Sequence, residues 1–417
     1  MGTPDHDLLV TNGYHSARDD VVDIAISNGT ITAIESSVDG VADRTLDADG
    51  RLVSPGLIDA HVHYDQAFSA DSNSERRPRY HDQSFEKDQS IQWSAENVAE
   101  TPRAELTDRA IRAARMAASN GVLHARAHCY LDGESGAKAV KAVIDARDRV
   151  ADLIDLQLVA FPQRGFLADP GSQEAAHEAL KAGADLVGGL DPASINDAIG
   201  KTIDVWFDIA EAHDVDIDAH LHDAGSIGLH TLDRLARATV DRGFEGRVTA
   251  SHSYALADTD RSDRDPLTRA GGLEAAIERF QAADLRFVTC YQSTPPMMPL
   301  ERLIEADLVV GHGTDQVRDM WGFHGNADVL QGALVESLKL AQSTYGTNEG
   351  LRLLWQLLTH GSAEVLGLEG YGLEIGTPAD IVILDARSPE WAITTQPSVR
   401  TVIKDGRVIV KDGQLVE

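Results

Sequence analysis

Apolar residues along this chain fall into two textures. Near the start, short alternating segments run from Leu8 to Val10, Val21 to Ser27 and Thr30 to Glu35, with Asn28-Gly29 between the last two. Asn-Gly between alternating segments is a strong hairpin signal. The far end repeats this texture in Ala379 to Asp385, Val399 to Lys404 and Arg407 to Val410, with Asp405-Gly406 between the last two. The two ends, residues 1–54 and 365–417, are therefore expected to pair into a small composite β-sandwich domain. Between them, residues 55–364 alternate apolar runs with amphipathic stretches. Eight strand candidates stand out: Leu57 to His63, Val122 to His128, Ile154 to Gln163, Asp185 to Asp191, Val215 to Asp223, Arg247 to His252, Arg286 to Gln292 and Leu308 to Asp315. Helical periodicity fills the intervals, as in Glu105 to Ser119, Lys138 to Ala151 and Ala198 to His213. Eight β/α units predict an α/β chain with a (β/α)8 TIM barrel.

Each barrel strand stays apolar until its C-terminal end, which then carries chemistry: His61 and His63, His128, Gln163, Asp191, His220 with His222 and Asp223, His252, and Asp315. Such ends share one mouth in a TIM barrel, where catalytic groups of this fold gather. On a strand, residues two apart point the same way, so His61 and His63 share a face, and so do Asp218, His220 and His222. A buried histidine is more commonly a hydrogen-bonded core residue than a ligand, and agreement among several strand ends is what shifts the reading. His61, His63 and His220 with Asp315 would give three nitrogens and one oxygen, leaving a position for water on one divalent metal ion, Zn or Fe. A metal of this kind brings the pKa of its water close to neutrality.

Composition narrows the classes. Hydrophobic residues at 42% and charged residues at 25% are ordinary for a globular chain. No run of eighteen apolar residues occurs, and the first residues lack a basic segment leading into an apolar one, so a soluble cytoplasmic protein is expected. Acids outnumber bases by 67 to 37, a net charge of -30 spread along the chain. That charge argues against nucleic-acid and anionic-membrane partners and points to a halophilic cytoplasm. The two cysteines, Cys129 and Cys290, are expected to be reduced and packed near strand ends. Homo-oligomerisation suits barrels of this kind, although no surface pattern demands it.

The run Ser54 to Asp65 (SPGLIDAHVHYD), Asp155 to Gly165 (DLQLVAFPQRG), Arg247 to His252 (RVTASH), Gly311-His312, Asp315 with Asp319, and Gly376 to Leu384 (GTPADIVIL) together resemble the amidohydrolase superfamily, in its cytosine deaminase-like branch. The resemblance spans essentially the whole chain. It implies metal binding by His61, His63, His220 and Asp315, with Asp315 also acting as base for the attacking water. It further implies that His252 contacts the attacking hydroxide, and that Gln163 reads the carbonyl and ring N–H edge of a heterocycle. Asp223 stands where the branch has a proton-shuttling glutamate, and Gln316 where it has a second aspartate. His222 is read either as a substrate-facing donor or as a group behind the ligands. Strand four offers Val187-Gly188-Gly189-Leu190-Asp191 without the bridging lysine of binuclear relatives, so one metal is expected.

Two further features are weighed. Arg76, Arg77 and Arg79, followed by His81, are read first as a wet loop balancing local acids, and second as a receptor for an anionic substituent. Trp321, with Phe323 and His324, either packs or walls a flat pocket. The expected activity is hydrolysis of a C–N bond in a small nitrogen heterocycle, most simply deamination releasing ammonia. The alternative at the same site is cleavage of an N-alkylamino heterocycle or a cyclic amide. A metal-binding barrel without turnover is the non-enzyme alternative.

Overall fold

In the computed structural model, residues 4–72, 87–258, 272–291, 298–339, 347–398 and 400–416 are described. Eight parallel strands form one sheet in sequence order: β1 (Leu57–Val62), β2 (Val122–Tyr130), β3 (Asp155–Phe161), β4 (Leu186–Leu190), β5 (Asp216–His220), β6 (Val248–Ser251), β7 (Arg286–Cys290) and β8 (Val310–Gly313). The barrel closes where β8 runs out beside β1. There the Asp315 N–H donates to the His61 carbonyl at 2.7 Å and the His63 N–H to the Asp315 carbonyl at 3.0 Å. Every strand expected from the sequence is present, but most are shorter. The chain leaves the ladder one or more residues before the polar cluster at several ends, so His63, Gln163, His222, Asp223, His252 and Asp315 sit on the exits rather than in the strands.

The helices pack outside with alanine-rich inner faces. The helix Arg103–Ser119, for example, buries Leu106, Ala110, Ala113, Ala114 and Ala117 against the strands. Small side chains at helical spacing let that helix approach the sheet closely. Beneath the barrel, the helix His360–Leu366 ends in Gly367 at φ 68°, a left-handed cap that glycine adopts without steric cost.

The two chain ends form one nine-stranded sheet rather than two separate hairpins. Leu52–Pro55 lies between His6–His15, to which it is parallel, and Ile381–Leu384, to which it is antiparallel. Both expected turns occur: Asn28 and Gly29 have φ of 51° and 76°, and Asp405 and Gly406 have 49° and 75°. Two positive values at the centre of a two-residue loop match the twist of the flanking strands. Val10, Ile24, Ile26, Ile31, Val53, Ile381 and Ile403 make its core. The sheet is fastened to the barrel floor by Lys404, whose Nζ donates to Asp155 Oδ2 at 2.9 Å and Asp380 Oδ2 at 3.1 Å. His124 reaches the same two carboxylates at 3.4 Å. A buried ammonium shared between carboxylates already neutralises that acidic corner.

Among the described residues no helix is long and apolar enough to cross a membrane. Both cysteines are free and buried.

Candidate active site and metal centre

Strand β1 ends by delivering His61 and His63, and β5 ends with His220. The ring nitrogens of these three lie within 4.8 Å of one another. His63 Nε2 is 3.2 Å from His220 Nε2. Asp315 Oδ1 lies 3.6 Å from Nε2 of both His61 and His63. Asp59 holds the Asp315 loop in place from below, its oxygens accepting from the Thr314 N–H at 2.9 Å and the Thr314 hydroxyl at 2.6 Å.

The donor set fits a divalent ion. Burial pushes the His63 imidazole down to about 4, and holds those of His61 and His220 well below their ordinary range, with help from neighbouring imidazoles. Neutral imidazole is the ligating form. Asp315 is pushed up to about 8 by burial, then by Asp319 and Asp59. His61 Nε2 and His220 Nδ1 are buried without a hydrogen-bond partner. Bare nitrogens crowded against a carboxylate that resists ionisation cost free energy, and a cation at their centre would remove that cost.

His252 follows β6 and is packed between His61, at a ring distance of 4.7 Å, and His222, at 4.4 Å. Its φ is 66°, that of Asp315 is 64° and that of Asp191 is 28°, so three strand exits hold non-glycine residues in left-handed backbone. Strain of this kind concentrates at functional sites.

His222 is aimed by Asp191. The Asp191 carboxylate accepts from the His222 backbone N–H at 2.5 Å, the Asp223 N–H at 3.1 Å and His222 Nδ1 at 2.9 Å. Asp223 is placed differently from the expected shuttle. Its Oδ2 accepts from the amides of Ala193 at 3.2 Å and Ser194 at 3.4 Å, and it is not among the residues around the cavity. The shorter aspartate side chain ends on the neighbouring loop, while His222 faces the opening.

That opening is a cavity of about 300 Å³ lined by His63, His220, His222 and Asp315 together with Gln163, Gln316 and Trp321. The structure therefore places three of the four expected metal ligands and every expected substrate-binding residue around one space, with the fourth ligand, His61, fully buried behind them. Phe161 stacks on His220 at 4.1 Å and 22°, and the Trp321 indole N–H donates to Ser94 Oγ at 3.1 Å. Gln66, Leu190, Tyr254 and Asp319 also line it and were not singled out as site residues from sequence. Tyr254 had a usable signal, lying two residues past His252; Leu190 and Gln66 did not, being ordinary residues at a strand end and in a loop. Leu190 stands at the end of β4 and offers no ligand atom. Phe323 and His324 are not part of the lining. The arginines at 76, 77 and 79 lie outside the described residues.

Several relatives share this architecture. Over 413 residues the chain is 40% identical to the N-isopropylammelide isopropyl amidohydrolase of Pseudomonas sp. (strain ADP), covering 99% of each. The crystal structure of N-isopropylammelide isopropylaminohydrolase from Burkholderia multivorans superposes with a TM-score of 0.86 at 30% identity, covering 98% of this chain and 99% of that one. The 5-methylcytosine deaminase of Klebsiella pneumoniae, liganded with 5-fluorocytosine, gives 0.83 at 25% identity, covering 98% of both chains. Residues 85–410 match the amidohydrolase family profile, and with these full-length likenesses the chain belongs to the amidohydrolase family.

Proposed function

We propose that this protein is a mononuclear metal-dependent hydrolase that removes an amino or N-alkylamino substituent from a flat nitrogen heterocycle. The observation that carries the reading is the convergence of His63, His220 and Asp315 on the wall of a cavity, with His61 buried directly behind them, where the other polar groups include Gln66, Gln163, His222, Gln316 and Asp319. The family acts as hydrolases on C–N bonds other than peptide bonds, and the relatives named above are amidohydrolases or deaminases of nitrogen heterocycles.

A divalent ion held by His61, His63, His220 and Asp315, Zn or Fe by the softness of this donor set, would supply Lewis acidity and a water of lowered pKa. Asp315 accepts the proton of the attacking water. His252, fixed between His61 and His222, steadies the charge that develops at the attacked carbon. His222, backed by Asp191, carries a proton to the ring or to the departing nitrogen, a role that Asp223 leaves vacant by binding the Ala193 and Ser194 amides. Gln163 and Gln316 read the carbonyl and N–H edges, and Phe161 and Trp321 flank the ring plane.

Two leaving groups are distinguished. The apolar lining from Phe161, Leu190 and Tyr254, and the 40% identity to an N-isopropylammelide amidohydrolase, favour an alkylamine over ammonia. The net charge of -30 supports operation in a strongly saline cytoplasm. The test is a panel of N-alkylammelides, cytosine and isocytosine offered to the metal-loaded protein, with alkylamine and ammonia quantified separately. Alkylamine release is expected; release of neither product from any member overturns the proposal.

A further inference from the structure

Arg126, on β2, is a charged side chain inside the barrel with 2% exposure. Its Nη1 donates to Asp218 Oδ2 at 2.9 Å and Thr249 Oγ1 at 3.1 Å. Its Nε and Nη2 donate to Gln157 Oε1 at 3.2 and 3.1 Å, and Nη2 donates also to the Val365 carbonyl at 2.9 Å, in the helix beneath the barrel. A guanidinium this deep is tolerable only when its donors are used and a counter-charge is present, and Asp218 is that counter-charge. The other Asp218 oxygen, Oδ1, accepts the Ser251 hydroxyl at 2.6 Å, and Ser251 Oγ lies 3.2 Å from His61 Nδ1.

The proton count decides the direction of the chain. Asp218 accepts on both oxygens, from the Arg126 guanidinium on one and the Ser251 hydroxyl on the other, and a serine has a single hydroxyl proton. With that proton committed to Asp218, Ser251 can only accept from His61. The His61 hydrogen must then sit on Nδ1, which leaves a bare lone pair on Nε2. Nε2 is the atom that lies 3.6 Å from Asp315 Oδ1 and has no hydrogen-bond partner.

We infer that Arg126, Asp218 and Ser251 are positioning residues that set His61 in the Nδ1–H tautomer before a metal arrives, so that the site is ordered for capture from the barrel floor upward. The inference rests on the reading of His61 as a ligand, but its first readout needs neither metal nor turnover. The partner of the non-ligating nitrogen selects the tautomer of a ligating histidine, and losing such a partner typically lowers metal affinity by about 10- to 100-fold.

The experiment uses the full chain labelled with 15N-histidine and stripped of metal, with long-range proton–nitrogen NMR reporting which nitrogen of His61 carries hydrogen. The wild-type protein is expected to show Nδ1–H, and Ser251→Ala to shift toward Nε2–H. Chelator competition with zinc is expected to show that Ser251→Ala binds about 10- to 100-fold more weakly while Ser251→Thr, which keeps the hydroxyl, stays close to wild type. Nε2–H in the metal-free wild type overturns the inference even if the alanine variant fails to fold, and so does zinc affinity in folded Ser251→Ala within twofold of wild type. His61→Ala separates the two readings. Unchanged zinc affinity in that variant would defeat the ligand assignment, whereas the tautomer result tests the relay by itself.

Discussion

Asp191 grips His222 twice, by the backbone amide at 2.5 Å and by ring Nδ1 at 2.9 Å. The carboxylate fixes the proton on Nδ1 and leaves the opposite ring edge toward the cavity, the geometry of a histidine prepared to exchange protons with a bound molecule. Replacing His222 with Asn is expected to lower kcat by about 10²- to 10⁴-fold. Asp191→Asn should cost about 10- to 100-fold in kcat. Asp223→Asn, whose carboxylate serves the neighbouring loop, should stay within about threefold of wild type, on the scale of a lost exposed hydrogen bond. Steady-state kinetics on the three variants check this, and a collapse of kcat in Asp223→Asn alone would return the shuttle to that residue.

Metal removal gives the second prediction. Dialysis against a chelator should abolish turnover, and about one Zn or Fe(II) per chain should restore it, as expected for four ligands around a single open site. Asp315→Asn should retain the fold yet lose at least about 10³-fold in kcat, because base and ligand disappear together. Elemental analysis beside the rate measurement would expose a second, unexpected equivalent.

Gly313, the last residue of β8, predicts a structural lesion that reaches the site. A Cβ there would meet the His61 Cβ at 2.5 Å and the His61 carbonyl oxygen at 2.6 Å. Backbone cannot step aside as a flexible side chain can, so Gly313→Ala is expected to lower stability by about 1–3 kcal/mol and to weaken metal retention in parallel. Thermal unfolding of the metal-free and metal-loaded forms measures both effects.

The pH dependence of stability is predicted from Glu336, which lies on the helix Val329–Lys339 behind β8. Burial pushes its acid up to about 8. Its Oε1 accepts from Thr289 Oγ1 at 3.0 Å, and its Oε2 is 3.4 Å from His312 Nε2. The folded protein therefore holds this proton more tightly than the unfolded chain does. Its contribution is complete below the ordinary carboxylate range and is lost as pH rises through about 8. Glu336→Gln, which imitates the protonated acid, should flatten the fall in melting temperature between roughly pH 5 and 8. An unchanged slope in the variant would show that the proton is not held there.

The barrel was legible because polarity along its strands is concentrated at their C-terminal ends. Leu57 to Ala60 and Val248 to Ala250 contain few groups that could face water, so the strands and their catalytic ends were visible without coordinates. Asp59, Arg126, Gln157 and Asp218 interrupt that pattern, and each spends its polar atoms on interior hydrogen bonds. What stayed hidden lies beyond the strand exits. After His220 the chain leaves the ladder, the two-residue alternation no longer sets direction, and nothing local says whether His222 or Asp223 turns inward. Asp191 was visible as a polar strand end, but its hold on His222 joins loops 31 residues apart and depends on a backbone turn at φ 28°. The Arg126 network reads across four strands, a relation that no single stretch of sequence contains.

Because Leu52–Pro55 is flanked by His6–His15 on one side and Ile381–Leu384 on the other, its second edge stays open during synthesis until more than three hundred further residues have left the ribosome. The barrel strands can begin to associate well before then, whereas the composite sheet must wait until Ile381–Leu384 has been made. An unprotected strand edge is a template for wrong pairing. Yield on expression should therefore respond more to slower elongation or holdase chaperones than the compactness of the finished molecule suggests, and a lesion in Ile381–Leu384 will also unseat His6–His15 through the strand they share.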